Sequence, residues 1–159
     1  GMLFRQLANE KKVSLIDLHK IAERDFDIDR AIDSKALEEA EKGDVVIDGH
    51  LAGWILEGIA DLKIFFTAPL TVRAKRVAIR DGKPYEEVLK ELQLREESNK
   101  LRARVIYGFD LEDLSTFDVI FNTSKLDKEV ISETLKTLIS KFIERRAKRG
   151  GDDAGNRGR

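Results

Sequence analysis

The chain has 159 residues, of which 42% are hydrophobic and 37% charged, a length that suits one domain with a single core. It contains no Cys and two His residues, which excludes disulfides and thiolate metal sites and argues against a His-based metal site. The formal net charge of −1 gives no overall attraction to nucleic acid or anionic lipid. No run of about eighteen apolar residues and no secretory leader is visible, so we expect a cytoplasmic protein without a membrane segment.

Three helices are predicted in the first third of the chain. Apolar side chains recur at helical spacing over residues 3–12, and Ser14 with Asp17 is typical of the N-cap of a second helix through Ala22. A third helix should end at Gly43, where a left-handed residue is wanted. Its apolar stripe consists of Ile28, Ile32, Leu37 and Ala40.

Three short runs of β-branched or aromatic residues then predict strands covered on both faces. They are residues 45–47, 62–66 and 117–121. Helical periodicity occurs near residues 71–81, 84–106 and 127–146. Alternating strands and helices predict an α/β fold, a three-layer parallel sheet with helices on both faces and right-handed crossovers.

The domain is predicted to span residues 1–148 and to be followed by a disordered tail at 149–159. The tail has no apolar side chain other than Ala154, and it cannot offset the entropy of ordering. Its Arg and Gly residues could contact RNA, but two Asp residues weaken the positive field. We therefore expect no nucleic-acid partner.

Polar residues follow each predicted strand, at the end of an open parallel sheet where ligands bind. The three groups are Asp48-Gly49-His50, Thr67-Ala68-Pro69 and Asn122-Thr123-Ser124. Asp48 could orient a nucleotide, a metal-bound water or an Arg, and Gly49 allows a ligand to approach the backbone. Alternatively, Asp48 caps the next helix.

Basic side chains concentrate between residues 73 and 104. Phosphate binding favours Arg because its guanidinium contacts two oxygens at once. Arg95 and Arg102 are seven residues apart, so both lie on one helix face and could close over a phosphate. Three acids nearby, Glu91, Glu96 and Glu97, leave open a solvated face of alternating charge.

His19 and His50 are distant in sequence and have no Ser or Cys nucleophile in a familiar motif beside them, so we do not expect a hydrolase triad. Trp54 is interpreted as a core or pocket-wall residue, with a base-stacking platform as the alternative.

Six blocks, in order and spacing, resemble the archaeal cytidylate kinases, and the likeness covers residues 1–145. The blocks are Phe4-Arg5-x-Leu7-Ala8, Ala22-Glu23-x-Asp25-Phe26-x-Ile28-Asp29, Gly43-Asp44-Val45-Val46-Ile47-Asp48-Gly49-x-Leu51-Ala52-Gly53-Trp54, Ala68-Pro69-Leu70-x-Val72-Arg73-Ala74-x-Arg76, Arg95-Glu96-Glu97 and Tyr107-Gly108-x-Asp110-x-x-Asp113-Leu114-Ser115. Each block alone is weak, and the set is specific.

This resemblance implies a nucleoside monophosphate kinase that transfers the γ-phosphoryl of ATP to CMP or dCMP with Mg²⁺. It also implies roles for individual residues, with a lid near 91–108. Arg5 would grip the acceptor phosphate, Asp48 with Gly49 and His50 would belong to the acceptor site, and Arg95 and Arg102 would stabilise the transferring phosphoryl. Arg73 and Arg76 are further acceptor-site candidates, and Asn122-Thr123-Ser124 resembles the loop near the ATP base.

Two features depart from the family pattern. His50 stands where an Arg is common. In the family a strand, a Gly-rich phosphate loop, a helix and a second strand precede the Phe-Arg helix, and no G-x-x-x-x-G-K-[ST] motif occurs in these 159 residues. We therefore expect the isolated chain to be inactive, with the loop supplied by a further segment or by a second chain.

Two alternatives remain. The first is a catalytically dead protein that binds nucleotides or partners. The second is a kinase of another nucleoside monophosphate with the same fold.

Overall fold

The computed structural model describes residues 2–155, and the side chains of residues 4–148. The chain forms two compact units, Gly1–Phe121 and Asn122–Arg159.

The first unit begins with three helices, as predicted: α1 (Met2–Glu10), α2 (Leu15–Ala22) and α3 (Asp27–Glu41). They enclose a small apolar core of their own, and we call them the helical layer. Its buried side chains are Ala8, Leu18, Ala22 and Ile28, with Phe4, Leu7, Val13, Leu15 and Ile32 packed around them.

The predicted helix boundaries in the layer are confirmed at two positions. The side chain of Ser14 accepts a hydrogen bond from the backbone nitrogen of Asp17 at 3.1 Å, which caps α2. Gly43, with φ +73°, lies just beyond α3 in the left-handed conformation that glycine adopts without strain.

The predicted strand at residues 45–47 is wrong. Residues 45–49 are in neither helix nor strand, and Val46 is 95% exposed. A strand is stabilised by hydrogen bonds to a neighbour, and this segment pairs with no other strand among residues 2–155. A single turn of helix that was not predicted, α4 (Ala52–Ile55), follows it.

The fold is α/β with a small parallel sheet. In the described part of the chain, two of the three predicted strands pair with each other, β1 (Ile64–Thr67) and β2 (Val119–Asn122). Between them lie two helices, α5 (Leu70–Asp81) and α6 (Tyr85–Tyr107), which pack against each other. The predicted three-strand, three-layer sheet therefore reduces to two strands here.

An aromatic cluster joins α4 to the sheet region. The rings of Trp54 and Phe117 meet edge to face with centroids 4.9 Å apart, and Phe65 lies 4.9 Å from Phe117. Trp54 is 8% exposed, and its Nε1 donates to the carbonyl of Asp113 at 3.2 Å. A side chain at Gly53 would collide with the ring of Phe117. Trp54 is therefore a core residue rather than an open stacking platform.

The second unit consists mainly of α7 (Lys128–Gly155). The backbone of residues 149–155, predicted as disordered, forms the last turns of this helix, and residues 156–159 lie outside the described residues. Within residues 2–155 no helix combines the length and the apolar character needed to cross a membrane.

Candidate functional site

Arg95 on α6 has a buried donor that nothing in the described chain satisfies. Its Nε is buried and has no hydrogen-bond partner, and its Nη1 lies 3.7 Å from Glu91 Oε1. Burial lowers the pKa of Arg95, although the charge of Glu91 opposes that shift. An orphaned charged donor is costly in a folded protein, so this guanidinium is suited to receive an anion.

Two further arginines surround this position. The charges of Arg5, on α1, and Arg80, on α5, act on Arg95 in the same direction as its burial. Both reach towards Asp81: Arg80 Nε lies 2.6 Å from Oδ1, and Arg5 Nη2 lies 3.9 Å from Oδ2. The side chain of Arg5 is 46% exposed, so its guanidinium remains accessible to a further acceptor. Arginines from the three helices α1, α5 and α6 thus bring positive charge to one place.

Arg73, also on α5, is held by protein partners. Its Nε donates to the carbonyl of Ala68 at 2.8 Å, and its guanidinium forms an ion pair with Glu96 of α6. This pair ties α5 to α6 beside the Arg95 position. Arg76 is exposed one turn further along α5 and also interacts within the protein.

Arg102 lies two turns beyond Arg95 on the same helix. Unlike Arg95, it has protein partners for all its donors. It is 3% exposed, and each of its five N–H groups has a partner. Nε and Nη2 lie 2.7 and 3.4 Å from the carboxylate oxygens of Asp29, while Nη2 also donates to Asn99 at 2.8 Å. Nη1 donates to Ser98 at 2.6 Å and contacts His19 Nδ1 at 3.2 Å.

His19 can accept from Arg102 because its ring is neutral. Burial, followed by the positive charge of Arg102 and Arg95, lowers the pKa of His19 to about 3. Arg has no acceptor, so Nδ1 carries the lone pair and the ring proton is on Nε2. The ring of Phe4 lies beside both, 4.5 Å from the His19 ring and 5.6 Å from the Arg102 guanidinium carbon.

A second polar pair joins α3 and α6, one turn away from the pair of Asp29 and Arg102. The hydroxyl of Tyr107, at the end of α6, donates to Asp33 Oδ2 of α3 at 2.7 Å. Burial raises the pKa of Asp33, while the hydrogen bond from Tyr107 lowers it. Helix α3 therefore holds α6 through two carboxylates, Asp29 and Asp33.

The segment 48–50 is exposed. Asp48 does not cap the following helix, because the N-cap position of α4 is Leu51. Protein atoms crowd the ring of His50, although the residue retains contact with solvent. This crowding, together with the charges of Arg95, Arg102 and Arg73, lowers the pKa of His50 to about 4. A neutral His50 adds no charge to the site.

Asn122, Thr123 and Ser124 lie where the second unit begins. Oδ1 of Asn122 accepts from the backbone nitrogen of Ser124 at 3.0 Å and from its hydroxyl at 2.6 Å, and Thr123 is buried. The turn is thus closed by its own side chains.

No group of three or more His, Cys, Asp or Glu side chains that could hold a metal ion occurs in the part of the chain that the structure describes. Mg²⁺ in kinases is commonly bound by one or two carboxylates and the substrate phosphates. The exposed carboxylate of Asp48 fits such a role.

The sequence matches the cytidylate kinase-like family over residues 2–125, which include Arg5, Arg95 and Arg102. The chain belongs to this family. The resemblance drawn from the six sequence blocks is confirmed.

Individual relatives in the family are similar over most of their length. The cytidylate kinase of Ignicoccus hospitalis is 47% identical over 139 residues, covering 87% of this chain and 81% of the relative. That of Staphylothermus marinus is 44% identical over 144 residues, covering 91% and 81%. That of Pyrococcus horikoshii is 45% identical over 139 residues, covering 87% and 72%.

Sequence reasoning missed the partners of Arg102. Asp29 was part of a family block but had no assigned role, and His19 was considered only as a nucleophile's partner. The available signal was the spacing of Asp29 and Asp33, which lie one turn apart beside the apolar stripe of α3 and so face a packed neighbour.

Proposed function

We propose that the chain is a cytidylate kinase polypeptide that transfers the γ-phosphoryl of ATP to CMP or dCMP. The observation that carries the proposal is the orphaned Nε of Arg95, among the positive charges of Arg5 and Arg80, in a chain of this family. The relatives' names support CMP as the acceptor.

In this proposal, Arg5 and Arg95 bind the acceptor phosphate and hold its oxygen in line with the γ-phosphorus. Charge spreads over the phosphoryl oxygens in the transition state, and forked donors aimed at those oxygens lower the barrier. Arg102 is proposed to contact the acceptor phosphate as well and, together with Arg95, to stabilise the transferring phosphoryl. Arg73, through its pair with Glu96, orients α6, and Arg76 adds positive charge nearby.

The acceptor nucleoside would lie along the segment Asp48-Gly49-His50, where Gly49 allows close approach of the backbone. Asp48 would hold Mg²⁺, which neutralises phosphate charge when bound. The turn of Asn122, Thr123 and Ser124 is proposed for the ATP base. Backbone amides of a phosphate loop usually bind the donor phosphates, and we propose that a segment outside these 159 residues, or a second chain, supplies them.

The test is CDP formation from ATP, Mg²⁺ and CMP by the purified 159-residue chain, alone and joined to a phosphate-loop segment. We expect little or no turnover alone, restored turnover with the loop, and preference for CMP and dCMP over UMP and AMP. Turnover of about 1–100 per second by the chain alone would place the donor site within these residues.

The saturated Arg102 favours one alternative, a protein that binds CMP without transferring phosphate. CMP binding with no turnover in the loop-joined chain would support that alternative. Equal turnover of AMP or UMP would instead indicate a kinase of another nucleoside monophosphate.

A further inference from the structure

The contacts of Arg102 divide between its own helix and the helical layer. Ser98 and Asn99 lie within one turn of Arg102 on α6, so their hydrogen bonds orient the guanidinium from its own helix. The other three contacts cross to the layer, two to Asp29 of α3 and one to His19 of α2.

Asp29 offers Arg102 the same geometry as a phosphate would. A guanidinium binds carboxylate and phosphate alike, with two N–H groups donating to two oxygens. Nε and Nη2 of Arg102 meet the two oxygens of Asp29 in this way. Since all five donors are engaged, a phosphate can reach Arg102 only if a partner leaves, and Asp29 is the partner whose two oxygens a phosphate can replace.

The link between α3 and α6 is polar, which makes such an exchange feasible. Helix α3 reaches α6 through Asp29–Arg102 and Asp33–Tyr107, whereas its apolar side chains face the core of the layer. After α3, residues 43–51 form neither helix nor strand, so α3 is not continuous with a rigid element on that side. Polar pairs can be replaced by water or ligand at lower cost than packed apolar contacts.

We propose that Asp29 is an internal competitor of the substrate phosphate, a positioning residue that holds Arg102 until a phosphate replaces its carboxylate. This inference rests on the proposed function, because it assigns Arg102 a phosphate. Ser98 and Asn99 keep the guanidinium oriented throughout, and the two donors that had faced Asp29 become available.

The test compares Asp29→Asn with the wild type and with Asp27→Asn, an exposed carboxylate on the same helix that controls for the lost charge. Isothermal titration with CMP and with cytidine is combined with thermal unfolding at increasing inorganic phosphate. If the phosphate-accessible state has a population of about 10% or less, Asp29→Asn should bind CMP about tenfold more tightly. Cytidine affinity should not change, and Asp27→Asn should match the wild type.

Phosphate should also raise the melting temperature of Asp29→Asn more than that of the wild type, even though the variant begins lower. This readout does not depend on CMP. A wild type that fails to bind CMP would overturn the proposed function, while the phosphate response still decides the role of Asp29. Unchanged or weaker binding of both CMP and phosphate by Asp29→Asn would overturn the proposal that Asp29 competes with phosphate for Arg102.

A measurement on the wild type covers the case in which Asp29→Asn does not fold. The Nε–H resonance of Arg102 should shift on adding saturating inorganic phosphate, because its acceptor changes, while that of exposed Arg104 stays in place. A resonance that does not move would mean that Asp29 is a permanent partner.

Discussion

Arg95 and Arg102 are the same residue on the same helix, two turns apart, and the structure treats them in opposite ways. Arg95 has a buried donor without a partner and two arginines close by. Arg102 has a partner for every donor and is almost fully buried. The difference shows that what a helical arginine can do depends on the elements packed against it. A sequence pattern that marks both as phosphate ligands cannot tell them apart.

The largest effect expected from this contrast is on stability. Arg102→Ala should lower the free energy of unfolding by about 3 kcal/mol, because it leaves the carboxylate of Asp29 buried and unpaired. Arg95→Ala should change it by less than about 1 kcal/mol, since the removed Nε has no partner. Urea unfolding followed by circular dichroism measures both, with exposed Arg104→Ala as control. Equal losses at Arg95 and Arg102 would break the contrast.

The next effect is on CMP binding, and here Arg95 is the more sensitive position. Arg95→Ala should weaken CMP binding by roughly ten- to a hundredfold, because hydrogen bonds to charged groups contribute about 1.5–3 kcal/mol. Titration calorimetry on the folded variant measures the change, and Arg104→Ala should bind as the wild type does. Unaltered affinity would assign the orphaned donor to folding alone.

The smallest effect concerns pH and the neutral ring beside Arg102. The pKa of His19 is lowered from 6.5 to about 3, so the unfolded chain binds a proton there at a pH where the folded chain does not. Stability is therefore retained above pH 6.5 and falls as the pH drops from 6.5 towards 3.

Melting temperatures between pH 7 and 5 test this dependence, in a range where most carboxylates remain ionised. His19→Gln should reduce the slope. His50→Gln is the matched variant, because the pKa of His50 is also lowered. It should remove only the contribution of His50 to the slope and leave the contribution of His19. A slope in His19→Gln equal to that of the wild type would mean that folding does not lower the pKa of His19.

Local chemistry was sufficient to predict the longer helices, although not the single turn α4 or the last turns of α7. The cap at Ser14 and the left-handed Gly43 depend on contacts within a few residues, and both were read correctly from sequence. The strand at 45–47 could not be settled in this way, because β-branched residues show only that a segment suits a sheet. Whether it pairs depends on a neighbour elsewhere in space.

The site was predictable to the extent that it follows family blocks. Arg5 and Arg95 were named from sequence, and the structure brings them close enough for their charges to interact. The capture of Arg102 by Asp29 was not visible, because 73 residues separate the two. Pairing over such a distance is decided by how α3 packs beside α6.

The aromatic cluster gives this protein an intrinsic fluorescent probe. Trp54 is the single tryptophan of the chain, and its indole is buried against Phe117 just after the segment 48–50. Its emission therefore reports on one place without an added label. Unfolding of the first unit would shift that emission to longer wavelength, and a nucleotide settling on residues 48–50 would change its intensity, so folding and occupancy can be followed in one cuvette.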